Sequence, residues 1–233
     1  MEKQPGSKNV SPLGLQHKII PTLELEKAAL KRGFKYIAGV DEAGRGPLAG
    51  PLMVAAVVLG KDWNSKHALN DSKKLSAKKR SQLFEVICSE ALAFKIVSIS
   101  IEEIDRMNIF KATLHGMLRC LNEIKPVPDY ILVDGNHFPE TTIGGEAVVK
   151  GDGLSKSIAA ASILAKVSRD RIMVENARSY PEWGFEDHKG YPTKQHGEAI
   201  KKYGLSPIHR RFFGLEFIKK LDRSSFLQQD LLR

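Results

Sequence analysis

Cysteine is nearly missing from this 233-residue sequence: Cys88 and Cys120 are the only two. Two thiols cannot build a disulfide framework or a four-thiolate zinc site. Both sit inside apolar helical patterns, where a small buried hydrophobe is expected. Long apolar runs are missing as well. The longest, Leu52–Leu59, has eight residues, against roughly 20 for a membrane-spanning helix. The opening segment, Met1–Lys8, lacks the charged-then-apolar pattern of a signal peptide, so a soluble, cytoplasmic protein with no membrane association is expected. There is no internal repeat and no heptad pattern to demand association, and a monomer is expected. No Walker sequence is present, because Lys156-Ser157 has no glycine directly before it.

What is present reads as a globular chain, with 42% hydrophobic and 27% charged residues. Basic residues outnumber acidic ones 36 to 27, for a net charge of +9. That surplus suits a polyanionic partner, although charge alone does not identify one. Part of it is concentrated in Lys61–Arg80, which holds seven basic and two acidic residues.

Residues 1–20 lack periodicity and read as a flexible leader. A helix is predicted over Leu23–Arg32, with Thr22 as its N-cap and Gly33 just past its end. Phe34–Asp41 reads as a strand. Leu52–Leu59 reads as a second strand, apolar throughout and therefore buried on both faces. After the polar stretch Lys61–Lys74, Ser76 caps a helix running to about Ala91, and Phe94–Ile99 alternates as a strand. Ser100-Ile-Glu-Glu103 is a capping box; it opens a helix interrupted near Asn108 and resumed to Ile124. Tyr130–Val133 is a short buried strand delivering Asp134, and Ala147–Lys150 reads as another. Ser155–Asn176 has the small-residue composition of a buried helix whose backbone can lie close to a sheet. Further helices are predicted at Thr193–Tyr203 and Pro207–Leu221. The pattern implies a layered α/β catalytic domain over residues 21–180 and a helical C-terminal extension over 181–233.

Carboxylates stand at the ends of these elements. Asp41-Glu42 alone reads as a polar strand end entering a turn. The glycine-rich loop after it changes that reading, because Gly44 and Gly46 let backbone amides approach a sugar or phosphate. Arg45 between them can fork onto phosphate oxygens. A dinucleotide-binding turn is disfavoured: the third glycine is absent, and Pro47 and Pro51 interrupt the place where a helix should begin. Asp134 ends an apolar strand, and Asp152 stands between two glycines before the small-residue helix. Singly each reads as a turn aspartate. Together they form the all-oxygen set that magnesium or manganese prefers. Asp170 is the rival to Asp152, although flanking arginines suggest an ion pair there. His137, His188 and His209 lack metal-ligand spacing, and the last two lie in basic stretches suited to phosphate contact.

Seven separated stretches resemble bacterial ribonuclease HII, from about Leu23 to Phe213. They are Gly39–Pro51, Asn70–Leu75, Val133–Asn136, Lys150–Asp152, Ser157–Lys166, His188–Tyr191 and Ser206–Arg210. The resemblance implies the ribonuclease H-like fold, a five-stranded mixed sheet flanked by helices. It implies Asp41, Glu42, Asp134 and Asp152 as the catalytic, metal-binding set, with two Mn2+ or Mg2+ ions. It further implies that Gly44, Arg45 and Gly46 sense a ribose 2′-hydroxyl, that Tyr191 packs on the next deoxynucleotide's sugar, and that Lys73 contacts phosphate. The activity implied is cleavage of RNA–DNA hybrids, and of duplex DNA 5′ of an embedded ribonucleotide, leaving 3′-hydroxyl and 5′-phosphate ends. A non-catalytic hybrid-binding module, or a junction-resolving nuclease of the same fold, stands as the alternative.

Overall fold

The computed structural model describes residues 20–61, 63, 69, 72, 75–213 and 215–219. Five strands form one mixed sheet: β1 (Ile37–Ala43), β2 (Leu52–Val58), β3 (Ala93–Ile99), β4 (Tyr130–Asp134) and β5 (Gly144–Val148). Their order is β3-β2-β1-β4-β5. The first three pair antiparallel, while β1, β4 and β5 run parallel. The central strand, β1, therefore pairs with an antiparallel neighbour on one side and a parallel one on the other.

Helices cover both faces of this open sheet. On one, α3 (Ile101–Glu123) sets Ile104, Met117, Cys120 and Leu121 against Ala38, Val40, Val54, Ile131 and Val133. On the other, α2 (Ala77–Glu90) and α4 (Lys156–Ser179) pack Leu83, Ile87, Ile163 and Leu164 onto Met53, Ala55 and Val57. Side chains of β1 alternate between these faces. Ala38 and Val40 point to α3, which places Gly39 and Asp41 toward α4. At Gly39 the two backbones touch: a Cβ there would collide with the backbone of Ser157 and Ile158. Small residues along α4 thus bring its axis directly over β1. The start of α4 is pinned by α1 (Glu24–Lys31), whose buried Glu26 accepts from Ser155 Oγ at 2.6 Å and Ser157 N at 2.9 Å. A carboxylate at a helix N-terminus is favoured by the dipole.

Several local signals act as the sequence implies. Ser100 and Glu103 form a reciprocal capping box. Ser76 Oγ accepts from Lys79 N, Gly33 adopts a positive φ of 98°, and the interruption falls at Asn108, with φ 66° and ψ 164°. Two strands are shifted. The first runs from Ile37 to Ala43 rather than from Phe34 to Asp41, so Asp41 and Glu42 lie within it. The reason is the hairpin partner: Ala55, Val54 and Met53 pair with Asp41, Glu42 and Ala43 and carry the ladder past the carboxylates. Phe34 packs on Tyr130 instead, ring centroids 4.6 Å apart. The last strand ends at Val148, where pairing with Asp134 ends.

Beyond α4, a short helix α5 (Phe185–His188) precedes α6 (Lys194–Tyr203). Residues 211–213 and 215–219 are helical, so the final helix starts later than Pro207. The expected leader, apart from Ile20, and Lys73 lie outside the described residues. No helix among the described residues is long and apolar enough to cross a membrane.

Candidate active site

Val40 and Val133 are paired neighbours on β1 and β4. One step further along these parallel strands, Asp41 and Asp134 stand side by side, both facing α4. Glu42 emerges on the α3 side. A cleft of about 210 Å³ at this strand end is lined by Asp41, Glu42, Asp134, Ala43, Gly44, Arg45, Gly46, Ser72, Ser162, Lys166 and Tyr191. Glu42 and Asp134 also edge a smaller hollow of about 90 Å³ on the α3 side, with Phe110, Asn136 and His137. A larger cavity, about 580 Å³, lies against α1 and contains none of these carboxylates.

The electrostatics of the cleft centre on Asp41, which is 5% exposed. Burial, then the charges of Glu42 and Asp134, push its carboxyl well above the ordinary carboxylate range; hydrogen bonds from Ser162 and the Glu42 amide oppose this. The Glu42 amide donates to Asp41 Oδ1 at 2.7 Å, and Ser162 is itself 2.9 Å from Ser72, oxygen to oxygen. Arg45 approaches Glu42 at 3.4 Å. Asp134 Oδ1 accepts from the Gly151 amide at 2.6 Å, which ties β4 to the turn carrying Asp152. Asp152 is buried one residue beyond that contact and is not among the residues lining the cleft. Asp170 lies in an ion pair with Lys166 at 2.8 Å, with Arg80 at 3.9 Å.

These residues fit a hard divalent cation. The donors are all oxygen, and their mutual repulsion at Asp41 is what a cation would relieve. Among the described residues, no three His, Cys, Asp or Glu side chains form a ready-made metal cage. Magnesium characteristically uses one or two carboxylates and completes its shell with water and substrate phosphates.

The other wall of the cleft is the Gly44–Pro51 loop and Tyr191, which is 37% exposed. Lys166 Nζ lies 5.4 Å from the Tyr191 ring centroid, and Arg169 Cζ 5.6 Å. The strap bearing Tyr191 is held by histidines, and here the expectation of phosphate contact is overturned. His188 and His209 are both buried. His188 bonds the Trp183 carbonyl through Nε2 at 2.7 Å and accepts the Gly190 amide at 3.1 Å. Ser206 donates its amide to His209 Nδ1 at 2.8 Å. That leaves His209 Nε2 to donate to His196 Nε2 at 3.0 Å, and His196 Nδ1 to donate to the Tyr191 carbonyl at 2.9 Å. The chain is satisfied with each ring neutral. Burial pushes His196 down to about 4 and His209 to about 3.

Sequence reasoning missed His196, Ser72, Ser162 and Lys166 as parts of this site. Only the spacing of Ser162 and Lys166, one helical turn apart on α4, could have signalled that they share a face.

The model of the ribonuclease HII family matches residues 38–220. A ribonuclease HII of Clostridioides difficile (strain 630) is 54% identical over 188 residues, 81% of this chain and 73% of that protein. One from Acetivibrio thermocellus is 50% identical over 193 residues, 83% and 75% of the two chains. Among solved structures, the ribonuclease H2 from Pyrococcus horikoshii OT3 matches with a TM-score of 0.66 at 28% identity, over 80% of this chain and 98% of that one. With this fold, this carboxylate-lined strand end and these relatives, the chain belongs to the ribonuclease HII family and is an RNase H endonuclease, a hydrolase acting on RNA–DNA hybrids.

Proposed function

We propose that the protein cuts the RNA strand of RNA–DNA hybrids, and duplex DNA on the 5′ side of a single embedded ribonucleotide, leaving 3′-hydroxyl and 5′-phosphate ends. The observation that carries this reading is one cleft that joins Asp41, Glu42 and Asp134 to the Gly44–Gly46 loop and Tyr191. Asp41 would anchor divalent ions, manganese or magnesium, with Glu42 and Asp134 completing the protein's share of the ligands. Asp152, on the turn bonded to Asp134, would help hold a second ion and position the attacking water. Two divalent ions bound at these oxygens would supply a nucleophile at neutral pH and neutralise charge on the leaving oxygen.

The chain's other residues place the substrate. Amides of the Gly44–Gly46 loop meet the 2′-hydroxyl, the group that distinguishes RNA from DNA, and Arg45 and Lys73 contact phosphate. The Tyr191 ring packs on the sugar of the following deoxynucleotide. After Tyr191 in the chain, a separate groove of about 310 Å³ is lined by Pro192, Thr193, Lys194, Gly197, Glu198, Lys201 and Phe217, with Lys194 3.8 Å from Glu198. Its lysines, in a chain of net charge +9, support a role for the C-terminal extension in holding the duplex backbone. The protein works as a cytoplasmic monomer.

A duplex with one ribonucleotide, incubated with manganese or magnesium and its products mapped, tests this. The expected result is one cut 5′ of the ribonucleotide, lost in excess chelator. Binding without turnover, or cutting of a four-way junction free of ribonucleotides, would replace this reading with one of its alternatives.

A further inference from the structure

Behind the Gly44–Pro51 loop lie two arginines with no part in the chemistry just described. Arg169 comes from α4 and Arg210 from the segment after α6, and both are 0% exposed. Their donors go to backbone carbonyls. Arg210 donates through Nη2 to Gly44 at 2.6 Å and Pro51 at 3.2 Å, through Nη1 to Arg45 at 3.3 Å and Pro47 at 3.0 Å, and through Nε to Gly50 at 2.9 Å. Arg169 donates to Pro51 at 3.0 Å, to Ala49 at 2.9 Å and to Lys189 at 3.0 Å. Burial and the neighbouring Arg169 both push against Arg210's charge, so the arrangement is costly.

A trans peptide is planar, with its C=O and N–H pointing in opposite directions. Since the Gly44 and Arg45 carbonyls face Arg210, the amides of Arg45 and Gly46 face away from it. Both residues line the cleft beside Asp41 and Asp134. Among the described residues neither amide is given to another protein group. Gly46 is open toward Tyr191, whose ring is the one neighbour a Cβ would meet among the described residues, at 3.9 Å.

We propose that Arg210, backed by Arg169, is a positioning residue for ribonucleotide recognition: by gathering the loop's carbonyls it presents the Arg45 and Gly46 amides as donors to the 2′-hydroxyl oxygen, without itself touching the substrate. The inference rests on the reading of the Gly44–Gly46 loop given above. Arg169 extends the device to the strap that carries Tyr191, through the Lys189 carbonyl. Arginine suits the task because its planar fork serves five carbonyls at once, whereas a lysine ammonium has three donors at one point.

The test is Arg210→Lys in the full chain. On a duplex with one embedded ribonucleotide, kcat/KM is expected to fall about 100-fold, the scale of a 1 Å misplacement. Inhibition by an all-DNA duplex of the same sequence is expected to stay unchanged. Equal losses on both duplexes, or wild-type discrimination in a folded variant, would overturn the proposal. If the variant does not fold, amide exchange on the wild-type protein without divalent ions decides: the Arg45 and Gly46 amides should be protected by the ribonucleotide duplex and not by the all-DNA one. Equal protection by the two overturns the proposal. Gly46→Ala separates the levels. Lost cleavage there with normal Arg210→Lys breaks only the arginine role, whereas normal activity in both breaks the loop reading itself.

Discussion

On the sheet side of the cleft, Asp41 lies within the last residues of β1 and Asp134 ends β4, two hydrogen-bonded neighbours. On the other side, the Gly44–Pro51 loop has a single antiparallel bridge among the described residues, Ala49 to His209, with Leu48 and Gly50 bonded to the backbone of Gly190, Ile208 and Arg210. Beyond these it leans, like the strap bearing Tyr191, on buried side chains from far along the chain. The sheet side is positioned by repetition: each ladder bond fixes the next residue, and one register, Val40 beside Val133, places both aspartates. The loop side is positioned by convergence. Arg169, His188, His196, His209 and Arg210 each spend a buried polar group on one or a few backbone contacts. A ladder tolerates change at most of its rungs. A convergent support has few redundant members, so single substitutions there should alter recognition before they alter the fold.

Two glycines put this contrast to its strongest test. A Cβ at Gly39 collides with the backbone of α4, while among the described residues one at Gly46 meets only the Tyr191 ring, at 3.9 Å. Gly39→Ala should therefore cost about 3 kcal/mol or more of stability, the upper range for overpacking, as read by denaturant unfolding. Gly46→Ala should leave unfolding unchanged and lower the cleavage rate at an embedded ribonucleotide about 100-fold, by holding the sugar off the loop. The reverse pattern would mean that the loop is merely structural. Tyr191→Ala should cost less, about 10-fold at a single embedded ribonucleotide, as loss of one aromatic packing partner implies. If only affinity for any duplex fell, the ring would have no role in registering the junction.

A further effect, absent at neutral pH, concerns acid. Folded, His196 and His209 resist protonation until about pH 4 and 3, against an ordinary value of 6.5. The unfolded chain binds those protons below about pH 6.5. The stability they contribute is thus complete above pH 6.5 and lost as pH falls toward 4 and 3, by about 1.4 kcal/mol per unit for each ring. His209→Gln should flatten the fall in melting temperature between pH 6.5 and 4 relative to wild type. Parallel curves would show that the histidine chain is charged or open.

The same contrast explains what could be read from the sequence. Leu52–Leu59, the Ser100–Glu103 capping box and the break at Asn108 are local, and each appears where its residues imply. That Asp41, Glu42, Asp134 and the Gly44–Gly46 loop would share one cleft was legible because carboxylates after apolar runs and glycine turns announce themselves within a few residues. Arg169 and Arg210 were not. A basic residue in a basic segment reads as solvated, and only the fold brings Gly44 to Arg210, 166 positions away. His188 and His209 misled for the same reason, since their partners are backbone groups that no pattern of residue types marks.

The division of labour between the two sides is tested most directly by Asp134→Asn, comparing cleavage and equilibrium binding of a duplex with one embedded ribonucleotide. The expected result is that cleavage disappears while the fold is kept and binding is largely preserved, because the proposed function puts chemistry on the sheet carboxylates and recognition on the loop and strap. Full cleavage by that variant, or loss of binding together with cleavage, would contradict it.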